Sequence, residues 1–214
     1  MPRYTEHDIT LASFAQIDRE IGPHHFSPAE YAVVRRIIHT TADFEFAELV
    51  QFSGLPIQAA TQAFTAGCSI VTDVSMVAAG IKTVVQRTWQ SPVAVAVQRV
   101  PSLPPADPTR AQPQDQTRSA QGMRLCAHDD SNAIFVVGNA PTALLALCDE
   151  ITQGRCRPAL VIGAPVGFIN VIESKQMLAS LAVPHIVITG RKGGSAVAAA
   201  ILNALLILAW ETKV

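Results

Sequence analysis

The residues best suited to chemistry are an arginine and a histidine three positions apart, Arg36 and His39. Apolar residues around them recur at helical spacing, and residues three positions apart on a helix share a face. The pair would place a fixed positive charge beside an imidazole, which exchanges protons near neutral pH. The arginine favours the neutral imidazole, whereas a bound carboxylate would favour the protonated form. A surface histidine near a helix end is the simpler alternative, and the pair alone is compatible with both.

Three glycine-rich segments, each between an apolar strand pattern and a helical pattern, could also bind an anion. They span residues 138–142, 163–167 and 190–195. In a parallel sheet these segments lie at the carboxyl ends of the strands, where ligands bind, and helix N-termini there favour negative charge. Asp73 follows an earlier strand pattern and is expected at the same edge. The alternative is that glycine and proline only shape tight turns.

The elements that must position these residues begin with a clear helix start. Ser27 is a candidate N-cap, Pro28 occupies the first helical position, and Glu30 completes a capping box, so we predict a helix to about residue 40. Further predicted helices cover residues 10–21, 44–51, 56–66, 74–79, 143–152, 170–181 and 196–210. Predicted strands cover residues 68–72, 93–97, 133–137, 159–162 and 185–189.

Apolar strands that alternate with helices indicate right-handed crossovers and a parallel sheet. We therefore predict an α/β protein, a three-layer α/β/α sandwich with a mostly parallel sheet and helical N-terminal additions. Residues 1–214 are expected to form a single domain. Several prolines predict a loop at residues 99–116, which could act as a lid.

Composition excludes several classes of protein. The chain has 214 residues, of which 49% are hydrophobic, and a mean hydropathy of +0.28, too apolar for intrinsic disorder. A net charge of −1 without a basic stretch argues against nucleic-acid binding. The most apolar run, residues 196–210, is shorter than the ~18 residues of a membrane span, so a buried helix and no membrane association are expected.

Neither a metal nor a cofactor is expected. The cysteines at positions 68, 126, 148 and 156 lack C-x-x-C spacing, which is typical of reduced thiols in a cytoplasmic protein. The polar N-terminus carries no signal-peptide core. His24-His25 and His128-Asp129-Asp130 have no third ligand at a recognisable spacing. The dinucleotide and P-loop glycine motifs are both absent from the sequence.

Taken together, the motifs resemble the precorrin-8X methylmutase family of cobalamin biosynthesis. The resemblance follows the family order over nearly the whole chain. The matching segments are Ile37-Ile38-His39-Thr40-Thr41-Ala42-Asp43-Phe44-Glu45, Ala66-Gly67-Cys68, residues 72–81, Thr117-Arg118-Ser119-Ala120, residues 138–144, Gly163-Ala164-Pro165-Val166-Gly167-Phe168, Glu173-Ser174-Lys175 and Gly190-Arg191-Lys192-Gly193-Gly194-Ser195. One departure follows Ala120, where this chain has Gln121-Gly122-Met123 instead of small apolar residues.

The resemblance implies an isomerase that moves a methyl group from C-11 to C-12 of precorrin-8X, or of cobalt-precorrin-8, to give hydrogenobyrinic or cobyrinic acid. It implies a three-layer α/β fold and a homodimer with a deep pocket near the dimer interface. His39 matches the catalytic histidine, and no cofactor is implied. The expected substrate-binding residues are Ser13, Arg36, Asp73, Met76, Thr117, Arg118, Ser119, Asn139 and Arg191. Val77 and Phe168 are further candidates for an apolar pocket floor.

Two other functions are weighed against this one. A non-catalytic corrinoid-binding or carrier protein would keep the pocket without the chemistry, and His39 beside Arg36 favours the enzyme. A nucleotide-binding α/β enzyme is disfavoured by the missing phosphate motifs. Whether the substrate contains cobalt stays open, because the ring itself binds the metal.

Overall fold

The computed structural model describes residues 4–101 and 117–213. Its helices are α1 (Asp8–Glu20), α2 (Pro28–Thr41), α3 (Phe46–Leu49), α4 (Pro56–Thr65), α5 (Ser75–Arg87), α6 (Arg118–Asp129), α7 (Pro141–Thr152), α8 (Val171–Ala179) and α9 (Ser195–Glu211). Its strands are β1 (Val50–Ser53), β2 (Ile70–Thr72), β3 (Val93–Val95), β4 (Ile134–Val137), β5 (Leu160–Gly163) and β6 (His185–Ile188). A 3₁₀ helix at Ala96–Arg99 follows β3.

The six strands form one sheet in the order β1-β6-β5-β4-β2-β3. All neighbouring pairs are parallel except β1 with β6, where Val50 lies opposite Ile188 in an antiparallel ladder. Every residue of β4, β5 and β6 is buried, which explains why these strands are apolar apart from His185 at the start of β6. The predicted mostly parallel sheet is confirmed.

Helices cover both faces of the sheet. On one face α9 packs against α2, α4 and α5, and α1 packs on α2; on the other, α7 packs between α6 and α8. The two hydrophobic clusters correspond to these two sides. The three-layer prediction and the buried helix expected at residues 196–210 are confirmed. None of the helices in the described residues is long and apolar enough to span a membrane.

Helix α2 begins as the sequence predicts. The Ser27 hydroxyl accepts a hydrogen bond from the Glu30 N–H, and the Glu30 carboxylate accepts one from the Ser27 N–H at 2.9 Å. The helix ends at Ala42, which is left-handed with φ of 53°. These two boundaries place His39 in the last helical turn.

Two predicted elements are shorter in the structure than expected, and one helix was not predicted. The helix expected at residues 44–51 is a single turn, α3, followed directly by the edge strand β1. The strand expected at residues 93–97 ends at Val95 and continues as 3₁₀ helix. Helix α6 was not foreseen behind the proline-rich segment. Of the predicted loop at 99–116, residues 102–116 lie outside the described residues.

Candidate active site

The predicted proton-transfer residue lies against the first helix. The rings of His39 and Phe14 meet edge to face, with 5.4 Å between their centroids. The Arg36 guanidinium lies 5.4 Å from the centre of the same Phe14 ring. His39 is exposed, and Ser13, next to Phe14, is half-buried and donates its hydroxyl to the Ile9 carbonyl. Phe14 therefore contacts His39 and Arg36 and is next to Ser13 in the chain.

Arg36 already has an anionic partner. Its guanidinium forms an ion pair with Glu6, which precedes α1. Only 15% of the Arg36 side chain and 18% of the Glu6 side chain are exposed. A carboxylate of a ligand would have to share or replace this partner, a point that the sequence did not reveal.

Asp73 occupies the topological switch point of the sheet, but it does so as part of the framework. The chain passes from β2 to β3 on one side and from β4 through β5 to β6 on the other, so the connections that leave the carboxyl ends of β2 and β4 run in opposite directions. Asp73 follows β2, and its carboxylate accepts hydrogen bonds from the N–H groups of Gly138, Asn139 and Ala140 at 3.1, 2.7 and 2.8 Å. The Asp73 carboxylate therefore binds the N–H groups of one of the loops at which a ligand was expected.

This environment corrects the expectation that Asp73 contacts substrate. The residue is fully buried, and its carboxylate holds the turn that begins α7. Burial raises the pKa of Asp73, and the N–H donors oppose that rise. Asp73 is therefore a positioning residue for the exposed Asn139, which the sequence also predicted at the site.

The start of α6 carries three predicted site residues. Thr117 caps the helix by accepting the Ala120 N–H at 3.2 Å, and its hydroxyl lies 2.9 Å from the Thr142 hydroxyl at the start of α7. Arg118 donates to the carbonyls of Val97 and Val100, each at 3.0 Å. Arg118 was expected to bind a substrate carboxylate; in the structure its guanidinium instead fixes the 3₁₀ segment. Ser119 is half-buried in the first turn of α6.

Two neighbouring loops, residues 164–170 after β5 and residues 189–194 after β6, are bound to each other. The Gly194 N–H donates to the Ala164 carbonyl at 2.8 Å, and the Gly167 N–H donates to the Arg191 carbonyl at 3.3 Å. A Cβ atom on Gly193 would lie 2.4 Å from the Ala164 carbonyl oxygen, so this close approach requires glycine. The Arg191 side chain is exposed, with its guanidinium 5.8 Å from the centre of the Phe168 ring.

Large apolar side chains are exposed along this edge of the sheet. Met76 at the start of α5 is 72% exposed, and Phe168 in the β5–α8 loop is 83% exposed. Val166 and Ile169 of the same loop are also exposed. The expectation that Val77 contributes to this surface was wrong, because Val77 points inward and is fully buried in the core.

Lys192 connects the β6–α9 loop to the helix that carries His39. Its ammonium donates to the carboxylates of Asp43 at 2.6 Å and Glu45 at 2.8 Å, just beyond the end of α2. The hydrogen bond from Lys192 lowers the pKa of the Asp43 carboxyl. The Arg36–His39 pair thus belongs to the same end of the molecule as Arg191.

Reasoning from the sequence missed Glu6, Phe14, Lys175 and Lys192 as residues of this region. Lys175 belongs to a motif that was noted, but nothing in that motif shows that the lysine is buried. Within residues 4–101 and 117–213, no group of three or more His, Cys, Asp or Glu side chains could hold a metal ion.

Comparison with known proteins identifies the family. The profile of the precorrin-8X methylmutase family matches residues 8–208. The chain is 47% identical to cobalt-precorrin-8 methylmutase of Synechocystis, with 96% of this chain and 97% of the relative covered, and 43% identical to the enzyme of the same name from Priestia megaterium, with 92% and 85% covered. A crystal structure of precorrin-8X methylmutase from Thermus thermophilus matches with a TM-score of 0.84 at 41% identity, covering 96% of this chain and 97% of that one.

The fold and these matches define an isomerase that transfers a methyl group within its substrate, an enzyme of cobalamin biosynthesis. The chain belongs to the precorrin-8X methylmutase family.

Proposed function

We propose that this chain converts precorrin-8X or cobalt-precorrin-8 to the corresponding hydrogenobyrinic or cobyrinic acid, with His39 as the catalytic proton donor and acceptor. The main support for this role is that the His39 ring is exposed and packs edge to face on Phe14, and that Arg36 lies against the same Phe14 ring. A large tetrapyrrole needs a proton-transfer group that is open to solvent and backed by a rigid surface. The position of His39 in the last turn of α2 meets both needs.

The reaction is a rearrangement with no net change in composition. The bond between C-11 and its methyl group breaks, and a bond from the same methyl group to C-12 forms, formally a [1,5]-sigmatropic shift. We propose that the His39 imidazolium protonates the macrocycle, which draws electron density away from the migrating centre, and that the imidazole recovers the proton afterwards. No external oxidant, reductant or methyl donor is consumed.

Charge and surface chemistry suggest how the substrate is held. The carboxylates of the macrocycle are proposed to bind Arg36 and Arg191, since guanidinium groups bind carboxylates through two parallel hydrogen bonds. Asn139 is exposed at the same edge and offers an amide. The flat ring is proposed to lie on the exposed side chains of Met76 and Phe168. Ser13, Thr117 and Ser119 remain proposed contacts. We propose that Asp73 acts by holding the turn that contains Asn139 and that Arg118 acts by fixing the segment of Val97 and Val100.

The relatives at 47% and 43% identity are both named for the cobalt-containing substrate, which favours cobalt-precorrin-8 here. The test is to incubate the purified protein separately with metal-free and cobalt-containing precorrin-8 and follow the absorption spectrum. Faster conversion of the cobalt form supports the proposal. Tight binding of both forms without conversion of either would indicate a corrinoid carrier and overturn the enzymatic assignment.

We also propose that the protein acts as a cytoplasmic homodimer of single-domain subunits. The exposed apolar side chains at Met76, Val166, Phe168 and Ile169 would be shielded by a second copy or by substrate. All four cysteines are free thiols, as expected in a reducing compartment. Light scattering across micromolar concentrations should give twice the 22.8 kDa chain mass, and a monomer would contradict the dimer.

A further inference from the structure

The starting observation is a lysine enclosed within the protein. Lys175, in the middle of α8, is only 2% exposed. Its ammonium donates to two backbone carbonyls of the β6–α9 loop, that of Gly190 at 2.9 Å and that of Lys192 at 2.7 Å. Lysine is almost never buried without a partner that accepts its hydrogen bonds. Both of these partners lie in a single loop.

The same loop is fixed at each successive carbonyl. Lys175 holds the carbonyls of Gly190 and Lys192, and the Gly167 N–H holds the carbonyl of Arg191 between them. Three consecutive backbone oxygens are thus bound from within the protein. The side chain of Arg191 is exposed on the outside of the loop, with its guanidinium beside the Phe168 ring.

A second lysine extends the connection to the catalytic helix. The backbone of Lys192 is held by Lys175, and its side chain reaches Asp43 and Glu45 beyond the end of α2. Arg191 therefore lies between two anchors, one to α8 and one to the helix that carries His39. A displacement of the loop would move Arg191 and weaken its connection to α2 together.

Lys175 is poorly explained as a device for stability. Burial lowers its pKa to about 8, so its surroundings disfavour the charged form that donates these hydrogen bonds. An apolar residue at this position in α8 would avoid that cost of desolvation. A residue that costs stability while shaping a binding loop is better explained by its effect on the site.

We propose that Lys175 is a positioning residue for the reaction: its ammonium fixes the β6–α9 loop so that Arg191 faces a carboxylate of the substrate. Lys192 links the same loop to the end of α2, the helix that contains His39. The inference rests on the function proposed above. It predicts that Lys175 acts on binding through Arg191. The rate of methyl transfer in the saturated complex should depend on Lys175 much less.

The test compares Lys175→Met, Lys175→Arg and Lys192→Met with the wild type. Leu178→Ala serves as the matched control, because Leu178 is buried in the same helix and contacts Gly163 in β5. Dissociation constants are measured for the product that the wild type forms, and single-turnover rates are measured at saturating substrate. The Lys192 side chain is 43% exposed, so its replacement tests the connection between the β6–α9 loop and α2 even where the variants of the buried Lys175 do not fold.

We expect Lys175→Met to raise the dissociation constant by about tenfold or more, the effect of losing a hydrogen bond to a charged group, with a saturated rate within about threefold of wild type. Lys175→Arg should restore part of the affinity. Arg191→Ala should weaken binding in the wild type and add little in Lys175→Met, because the two substitutions remove one interaction. Leu178→Ala should lower the melting temperature and leave the dissociation constant unchanged.

A readout without substrate separates this inference from the proposed function. Trypsin cuts after arginine and lysine, so release of the β6–α9 loop should accelerate cleavage at Arg191 and Lys192 in Lys175→Met relative to Leu178→Ala. Unchanged cleavage and an unchanged dissociation constant in Lys175→Met would overturn the positioning role. Failure of the wild type to bind or convert either precorrin would overturn the proposed function and the effect on binding. The cleavage rate would still show whether Lys175 fixes the β6–α9 loop.

Discussion

Glu6 pairs with Arg36, and the ion pair is largely shielded from solvent, with less than a fifth of either side chain exposed. Arg36 is also the residue proposed to bind a substrate carboxylate. The Glu6 carboxylate is thus an internal anionic partner for the guanidinium that the proposed function assigns to the substrate. Binding must replace one anionic partner of Arg36 with another or add a second one.

Removing the charge of Glu6 should therefore strengthen binding. In Glu6→Gln the guanidinium of Arg36 has no internal anion, so we expect the dissociation constant of the product to fall by about tenfold, equivalent to about 1.4 kcal/mol. Isothermal titration calorimetry at low ionic strength would measure the change. Arg36→Ala is the control: affinity should fall by about 1.5–3 kcal/mol, and adding Glu6→Gln should then change nothing further. Weaker binding by Glu6→Gln would mean that Glu6 orients Arg36 for the substrate.

His39→Ala should remove catalysis and keep the fold. The imidazole is exposed and packs edge to face on the ring of Phe14. A positioned acid contributes about 10²–10⁴-fold to a rate, so the single-turnover rate should fall by that factor. The melting temperature and the product affinity should remain close to wild type. A stable variant that binds product and turns over at a near-normal rate would show that His39 is only a surface residue of α2.

Asp73→Asn should destabilise the protein. The amide can accept fewer of the N–H groups of Gly138, Asn139 and Ala140 than the carboxylate does, and its own NH₂ group would face these donors. We expect the free energy of unfolding to fall by about 3 kcal/mol, measured by urea denaturation.

The matched control for Asp73→Asn is Asp129→Asn. Asp129 pairs with Arg99 on the surface, with 48% of its side chain exposed, and its removal should cost under about 1 kcal/mol. Equal losses of stability in the two variants would contradict the positioning role of Asp73.

The pH dependence of stability should report on Lys175. Its pKa is lowered from 10.5 to about 8, so between these values the unfolded chain keeps a proton that the folded chain has lost. Stability from this group therefore rises with pH across that range, by about 3 kcal/mol in full. Denaturant unfolding at neutral pH and at about pH 10 should show a change in stability that is more favourable in the wild type than in Lys175→Met, by most of this amount.

The comparison with Lys175→Met is needed because other groups titrate in the same range. Burial raises the pKa of Cys148 to about 12 and of Cys156 to about 11, so the folded chain retains their protons and loses stability as the pH rises. This loss is the same in both proteins and cancels in the difference. A difference that stays constant with pH would show that Lys175 remains protonated in the folded state up to its ordinary pKa.

Much of the fold could be predicted because local patterns and tertiary packing agree. Local sequence alone predicts the apolar strands β4, β5 and β6 and the capping box of α2. The edge strand β1 could not be predicted in this way. Its four residues follow a helical turn with no intervening turn signal, and their strand conformation depends on pairing with β6, which lies far along the chain.

The site was only partly predictable, because the roles of some of its residues depend on contacts with distant parts of the chain. His39, Arg36 and Arg191 stand in motifs whose chemistry can be inferred from residue type. The role of Asp73 could not be inferred, because an aspartate after a strand is equally suited to bind a ligand or to accept the N–H groups of a neighbouring loop. Which of the two occurs depends on the approach of the turn after β4, whose Gly138 lies 65 residues further along the chain. The burial of Lys175 likewise depends on contacts outside its own segment.

The central position of α9 has a consequence for how the chain folds during its synthesis. This helix is made after α2, α4 and α5, and all three pack on it. The helices α6, α7 and α8 pack on one another before α9 is made, whereas α2, α4 and α5 lack their common packing surface until then. The apolar faces of α2, α4 and α5 are therefore exposed on the ribosome until α9 emerges, the interval in which chaperones would bind them.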